Sequence, residues 1–202
     1  VVPSLANEIW RLNFPGAVRV PAALLVTDER RVPDPVPAAQ SLPPGSGIIF
    51  RHYGLSDRAR TECAARLAAV ACERGLALFI AGDFALARAV GASGLHLPEH
   101  AVTDIRLLHA ARNHGLAVTA AAHSWRAVIR AGTRGVDAVL VSPVFPTASH
   151  PGARPLGVLR LAWIAAHSRV PIYALGGVTV RTVQRLRACG CAGIAAVGAL
   201  SA

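Results

Sequence analysis

The chain has 202 residues, 53% of them hydrophobic, enough for one globular domain with a sizeable core. No apolar run approaches the ~20 residues that span a bilayer, and the start lacks the basic-then-apolar pattern of a signal peptide. The formal charge is +10 and all 21 basic residues are arginine, so lysine Schiff-base chemistry and a P-loop lysine are both excluded.

A basic chain favours anionic partners. The arginines are scattered along helix faces (Arg58, Arg66, Arg126, Arg130, Arg181, Arg185), with no dense run and few interleaved aromatics. That pattern fits a small phosphorylated ligand rather than nucleic acid. Four cysteines, Cys63, Cys72, Cys189 and Cys191, lack zinc-ligand spacing and read as reduced thiols of a cytoplasmic protein. No metal site is expected.

In chain order, residues 1–20 form an N-terminal extension whose Trp10 and Phe14 predict a small added helix. From residue 21 to 202, short apolar runs alternate with amphipathic stretches. The runs are Ala22–Val26, Gly47–Phe50, Leu76–Ile80, Gly94–Leu97, Leu116–Ala120, Ala138–Val141, Ile172–Leu175 and Gly193–Val197. Each is bounded by Gly, Pro or polar residues, as strands buried on both faces are. Ser56 caps a predicted helix that runs to Arg74 and stops at Gly75. Thr103–Asn113 carries Ile105, Leu108 and Ala111 at helical spacing, and Thr179 caps a helix ended by Gly190. The proline-rich connector 28–46 predicts a short helix or none. Eight strands alternating with helices favour a closed (β/α)8 TIM barrel over an open doubly wound sheet, and no G-x-G-x-x-G follows the first strand. The chain stops soon after strand eight, so the last helix is expected to be short or missing.

Barrel enzymes work at the C-terminal ends of their strands. Five of the eight histidines fall at or near these ends: His52, His96, His100, His123 and His150. Gly176-Gly177 ends strand seven and Val197-Gly198 ends strand eight. Glycines there let backbone N–H groups approach a phosphate, at the corner where barrels bind phosphate. The stretch H-L-P-E-H at 96–100 is not a helical zinc motif, because Pro98 interrupts it and the glutamate is misplaced.

The segments GASGLHLPEH, AAAHSWRAV, DAVLVSPVFPTASHPG and PIYALGGVTVRTVQRLRACGCAGIAAVGAL resemble the thiamin phosphate synthase/TenI family over roughly residues 22–200. The resemblance implies a (β/α)8 barrel of thiamin biosynthesis that binds a thiazole phosphate. Two activities are implied. A synthase joins thiazole phosphate to a hydroxymethylpyrimidine pyrophosphate with Mg²⁺. A TenI-type tautomerase moves a proton on a carboxythiazole phosphate with a histidine.

The synthase pattern is poorly kept. Where synthases read Asn-Asp after strand three, this chain has Ala81-Gly82, with Asp83 one place late. Where they read Gly-Gln-Glu-Asp after strand four, it has Pro98, Glu99, His100 and Ala101. Ala121 replaces a pyrophosphate-binding serine. Arg51 is kept and Tyr53 replaces a lysine. Thr147 and Ser149 match substrate-binding hydroxyls, and His150 replaces the lysine that follows. Without two oxygen ligands Mg²⁺ is poorly held. Leu97-Pro98 is similar to TenI-type sequences, and His123 matches the tautomerase histidine. An imidazole, with its pKa near ~6.5, suits proton transfer near neutral pH. The expected site is therefore His123 as general acid/base, Gly176, Gly177, Val197 and Gly198 around the phosphate, and Arg51, Thr147, Ser149 and His150 on the substrate. No cofactor is expected, or Mg²⁺ for a synthase. A synthase using Asp28, Asp83 or Glu99 on the metal, a non-catalytic phosphate-binding homologue, and a zinc hydrolase built on the rim histidines remain as alternatives. The oligomeric state is open, a homo-oligomer included.

Overall fold

A computed structural model describes residues 5–147, 152, 154–197 and 200. The strands are β1 (Ala23–Val26), β2 (Gly47–Phe50), β3 (Ala77–Ala81), β4 (Gly94–Leu97), β5 (Ala117–Ala122), β6 (Ala138–Val141), β7 (Ile172–Leu175) and β8 (Gly193–Val197). All neighbours pair in parallel, and β8 closes on β1 with Ala23 opposite Ile194 and Val26 opposite Val197. The alternation of apolar runs and helical stretches thus resolves into a closed (β/α)8 barrel.

Side chains alternate between two layers, as the two-residue strand period requires. Leu24, Val26, Ile49, Phe79, Ala81, Leu140 and Tyr173 fill the barrel interior. Phe79 lies so close to Gly94 that a Cβ there would sit 2.4 Å from the ring, and Tyr173 covers Gly193 in the same way. The Tyr173 hydroxyl donates to the carbonyl of Val20 at 2.7 Å, which ties the N-terminal segment across the bottom of the barrel. The outward residues, among them Leu25, Ile48, Ile80, Val118, Val139 and Ile194, pack under the helices. Each such fully buried side chain contributes roughly 1.5–3 kcal/mol.

The helices begin where hydroxyl or carboxylate caps stand. Ser56 accepts from Ala59 N ahead of α3 (Asp57–Arg74), which Gly75 ends at φ 62°. The earlier helices are α1 (Leu5–Arg11), in the extension, and α2 (Val36–Gln40), the five-residue helix of the connector. After α4 (Phe84–Ala89) comes a 3-10 turn, Glu99–Thr103, and α5 (Ile105–Asn113). Its cap is Asp104, whose carboxylate takes Leu107 N, so the helix starts at Ile105 rather than at Thr103, and Ile105 turns to solvent. The next two are α6 (Trp125–Thr133) and α7 (Gly157–His167). Thr179 caps α8 (Val180–Val183) through a reciprocal bond with Thr182, but the helix then tightens to 3-10 over Gln184–Leu186, well before Gly190.

Among the described residues no helix follows β8. The α1 helix packs instead on α8 and β1. It buries Leu5, Ala6 and Ile9, and its buried Glu8 carboxylate accepts from Arg11 and from Gln184. Trp10 is half exposed. Among the described residues no helix is long and apolar enough to cross a membrane.

Candidate functional site

Three cavities open at the C-terminal mouth of the barrel, and Arg51, just past β2, lines all of them. The first, about 290 Å³, lies over β6–β8. Arg31, Thr147, Gly176, Gly177 and Val197 line it. The second, about 460 Å³, lies over β4–β6 and is lined by Tyr53, His96, Glu99, His100, His123 and Ser142. The third, about 190 Å³, is walled by Asp28, Glu29 and Arg30. Of the residues read from the sequence, Arg51, Thr147, Gly176, Gly177 and Val197 share the first cavity, and His123 lies in the adjoining one. Ser149, His150 and Gly198 lie outside the described residues.

The two glycines at the end of β7 also have a packing reason. Gly176 and Gly177 have φ of 91° and 67°. A Cβ on Gly176 would meet Pro143 Cα at 2.9 Å, and one on Gly177 would meet Pro146 O at 2.5 Å. The loop after β6 is laid on this corner by Val144 N donating to Leu175 O and Phe145 N donating to Gly176 O, each 3.0 Å. Bare backbone therefore faces the cavity on one side and the proline loop on the other.

His123 follows β5 directly. Its N–H donates to Glu99 Oε2 at 2.8 Å, and its Nδ1 lies 3.0 Å from Ser142 O and 3.2 Å from Ser142 Oγ. A carbonyl only accepts, so the Ser142 contact is a hydrogen bond in which Nδ1 donates.

The rim histidines divide by environment. His52 is fully buried and structural. Thr27 Oγ1 accepts from Arg51 N and lies 2.9 Å from His52 Nδ1, while His52 Nε2 donates to Val32 O. This relay fixes the backbone of Arg51 and holds the connector that brings Arg31 into the first cavity. His96 points inside the barrel, with Nδ1 2.9 Å from Thr119 Oγ1. Burial first, then the nearby Arg51 cation, depresses its pKa to about 3, so it stays neutral. Of the described rim histidines, His100 and His123 are exposed. No sequence pattern pointed to Arg31, since nothing in a proline-rich connector ties residue 31 to Gly177.

The acidic residues near the mouth are committed elsewhere. Asp83 caps α4 by accepting from Leu86 N at 2.9 Å, and its other oxygen takes Arg60 Nη1 at 2.8 Å. Arg60 also donates to Ala81 O. Asp28 Oδ1 accepts from Arg30 N, and Glu99 holds His123 N. Among the described residues no group of three or more His, Cys, Asp or Glu side chains is arranged to hold a metal ion. With alanine at 101 and Asp83 turned to Arg60, the residues present do not fit a resident Mg²⁺.

Residues 24–200 match the family model described as thiamine monophosphate synthase (TMP-TENI). A putative thiamine-phosphate synthase 2 of Aquifex aeolicus (strain VF5) is 33% identical over 150 residues, 74% of this chain and 80% of that protein. A thiamine-phosphate synthase of Synechococcus sp. (strain WH7803) is 34% identical over 158 residues, 77% of this chain. The chain spans less than half of that relative, 44% of its length. The solved thiamine phosphate pyrophosphorylase from Pyrococcus furiosus superposes with a TM-score of 0.77 at 24% identity, covering 91% of this chain and 89% of that one, and so shares the fold. The closed barrel and the match over nearly its whole length place the chain in the thiamine monophosphate synthase (TMP-TENI) family.

Proposed function

We propose that the protein binds a thiazole phosphate at the β7–β8 corner and tautomerises it, with His123 as the proton carrier. The observation that carries this reading is the bond from His123 Nδ1 to Ser142 O at 3.0 Å, which holds the imidazole in the wall of a cavity that adjoins the phosphate corner through Arg51. The phosphate sits against Arg31, Thr147 and the Gly176-Gly177 backbone, and a substrate carboxylate faces Arg51. His123 takes a proton from one carbon of the ring system and returns one elsewhere. The imidazolium formed in between is supported by Ser142 O and by the Glu99 carboxylate near its backbone. His96, neutral in the same cavity wall, does not compete as a base.

A synthase is the second reading, favoured by the names of the relatives. It requires a magnesium–pyrophosphate site, and the engagement of Asp83 by Arg60 supplies none. The test offers the purified protein both sets of substrates. Conversion of the carboxythiazole phosphate tautomer without Mg²⁺, lost in His123→Ala, is the expected result. Magnesium-dependent release of pyrophosphate from hydroxymethylpyrimidine pyrophosphate and thiazole phosphate would overturn it in favour of the synthase.

A further inference from the structure

The flank of the barrel at α6 and α7 carries two stripes at i, i+4, i+8 spacing: Trp125, Ile129 and Thr133 on α6, and Leu159, Trp163 and His167 on α7. The solvent side of a surface helix is ordinarily polar. Here Leu159 is 87% exposed, Trp163 49% and Ile129 46%. Trp163 meets Trp125 edge-on with ring centres 4.9 Å apart, and it stacks on His167 at 4.5 Å. His167 Nδ1 lies 2.8 Å from Trp163 O, which keeps the imidazole against the indole. Beside this aromatic ridge lies a groove of about 290 Å³, between α6 and the turn after α7, with Val128, Ile129 and Val170 as apolar walls and Arg169 in its lining. It shares no lining residue with the three cavities at the mouth.

The charge around the groove has one sign. No Asp or Glu follows Asp137 in the chain, whereas residues 138–202 hold six arginines. Asp137 itself is engaged by Val118 N and Arg19. Helix α6 brings Arg126 and Arg130, α7 brings Arg160, and neither helix has a carboxylate. Arg126, Arg160 and Arg169 are exposed, and none of them forms an ion pair among the described residues. An apolar groove rimmed by guanidiniums complements an acidic surface that offers an apolar side chain, and Trp and Arg are the side chains that dominate interface energies. A second copy docked through the same face would bring like charges together with no carboxylate on either helix to meet them. Nucleic acid stacks its bases on open aromatic faces. Trp163 spends one face on His167, and the groove itself is walled largely by aliphatic side chains.

We propose that the α6–α7 groove docks an acidic partner protein. A helical segment of the partner lays apolar side chains beside Trp163 and Ile129, and its carboxylates meet Arg160 and Arg169.

The experiment titrates the full chain into a fluorescein-labelled, glutamate-rich helical peptide with leucines at i, i+4 and i+8, and reads anisotropy. A peptide of the same composition, with its leucines spread around the helix, is the control. The ordered peptide should bind about tenfold or more tightly than the control. Trp163→Ala should weaken it about tenfold or more, and so should Arg160→Glu combined with Arg169→Glu. Arg58→Glu, at an exposed position on α3, should change it little. No binding, equal binding of the two peptides, or an equal loss in Arg58→Glu would overturn the proposal. So would a dimer in sedimentation velocity that Trp163→Ala dissolves, which assigns the face to a second copy. Displacement of the peptide by oligouridylate would overturn it in favour of nucleic acid. The paired arginine variant changes only exposed side chains, and it decides the matter even if Trp163→Ala fails to fold.

Discussion

The imidazole Nδ1 of His123 lies 3.0 Å from the carbonyl oxygen of Ser142, across the seam between β5 and β6. The backbone acceptor is present whatever the side chain at 142. His123→Asn should therefore lower turnover of the thiazole phosphate by about 10²–10⁴-fold, the usual worth of a positioned acid/base, and leave its affinity nearly unchanged. Ser142→Ala removes only the hydroxyl contact and should change turnover by no more than a few-fold. Steady-state kinetics beside direct binding titration separates the two outcomes. A large effect of Ser142→Ala would mean that its hydroxyl, not its carbonyl, orients the ring.

Gly177 and Gly75 share a left-handed backbone, with φ of 67° and 62°. They differ in surroundings: a Cβ on Gly177 meets Pro146 O at 2.5 Å, and one on Gly75 meets nothing within 4 Å. Gly75→Ala should cost only the conformational penalty, about 1–2 kcal/mol. Gly177→Ala should cost more and also weaken phosphate binding, because the β6 loop must shift off the corner. Urea unfolding of both variants, with phosphate titration of each, checks the difference. Equal destabilisation would show that the loop yields freely.

The Asp83 carboxylate serves two structural ends, the α4 cap and the Arg60 ion pair. Asp83→Ala removes both and should destabilise by about 1–3 kcal/mol. Asp83→Asn keeps a capping oxygen and should lose less, about 1 kcal/mol or below. Neither change should alter thiazole phosphate turnover. If Asp83→Asn abolished activity at unchanged stability, the carboxylate would have a direct role and the synthase reading would gain.

The barrel was legible because parallel strands buried on both faces leave continuous apolar runs, and Gly, Pro and caps punctuate them. The helix ends were less so: Asp104 caps α5 and starts it at Ile105 rather than Thr103, and the predicted end at Gly190 lies several residues after α8 had tightened. Parity along a strand carried more than the plain position at its end. Gly94 and His96 stand two apart on β4, so both face the interior, and His96 belongs with Thr119 rather than with the rim. What no local pattern encodes is long-range closure. Thr27 and His52 sit 25 residues apart, and only the fold makes their bond the support for Arg51 and Arg31.

His96 should give the stability of the protein a specific acid limit. Its folded pKa of about 3 is depressed from 6.5, chiefly by burial, so the unfolded chain takes up the proton first as pH falls. Between those values the unfolded state binds more protons than the folded one, and stability rises with pH. The contribution is fully present above about pH 6.5 and drains away below it, by about 2 kcal/mol at pH 5. His96→Gln keeps a polar group near Thr119 but cannot titrate. It should be less stable than the wild type at pH 7.5, and its stability should fall less between pH 7.5 and pH 5. Urea unfolding of both proteins at the two pH values measures this difference of differences. Parallel losses in the two proteins would show that His96 accepts its proton in the folded barrel, against the burial that the Thr119 pair and the filled interior impose.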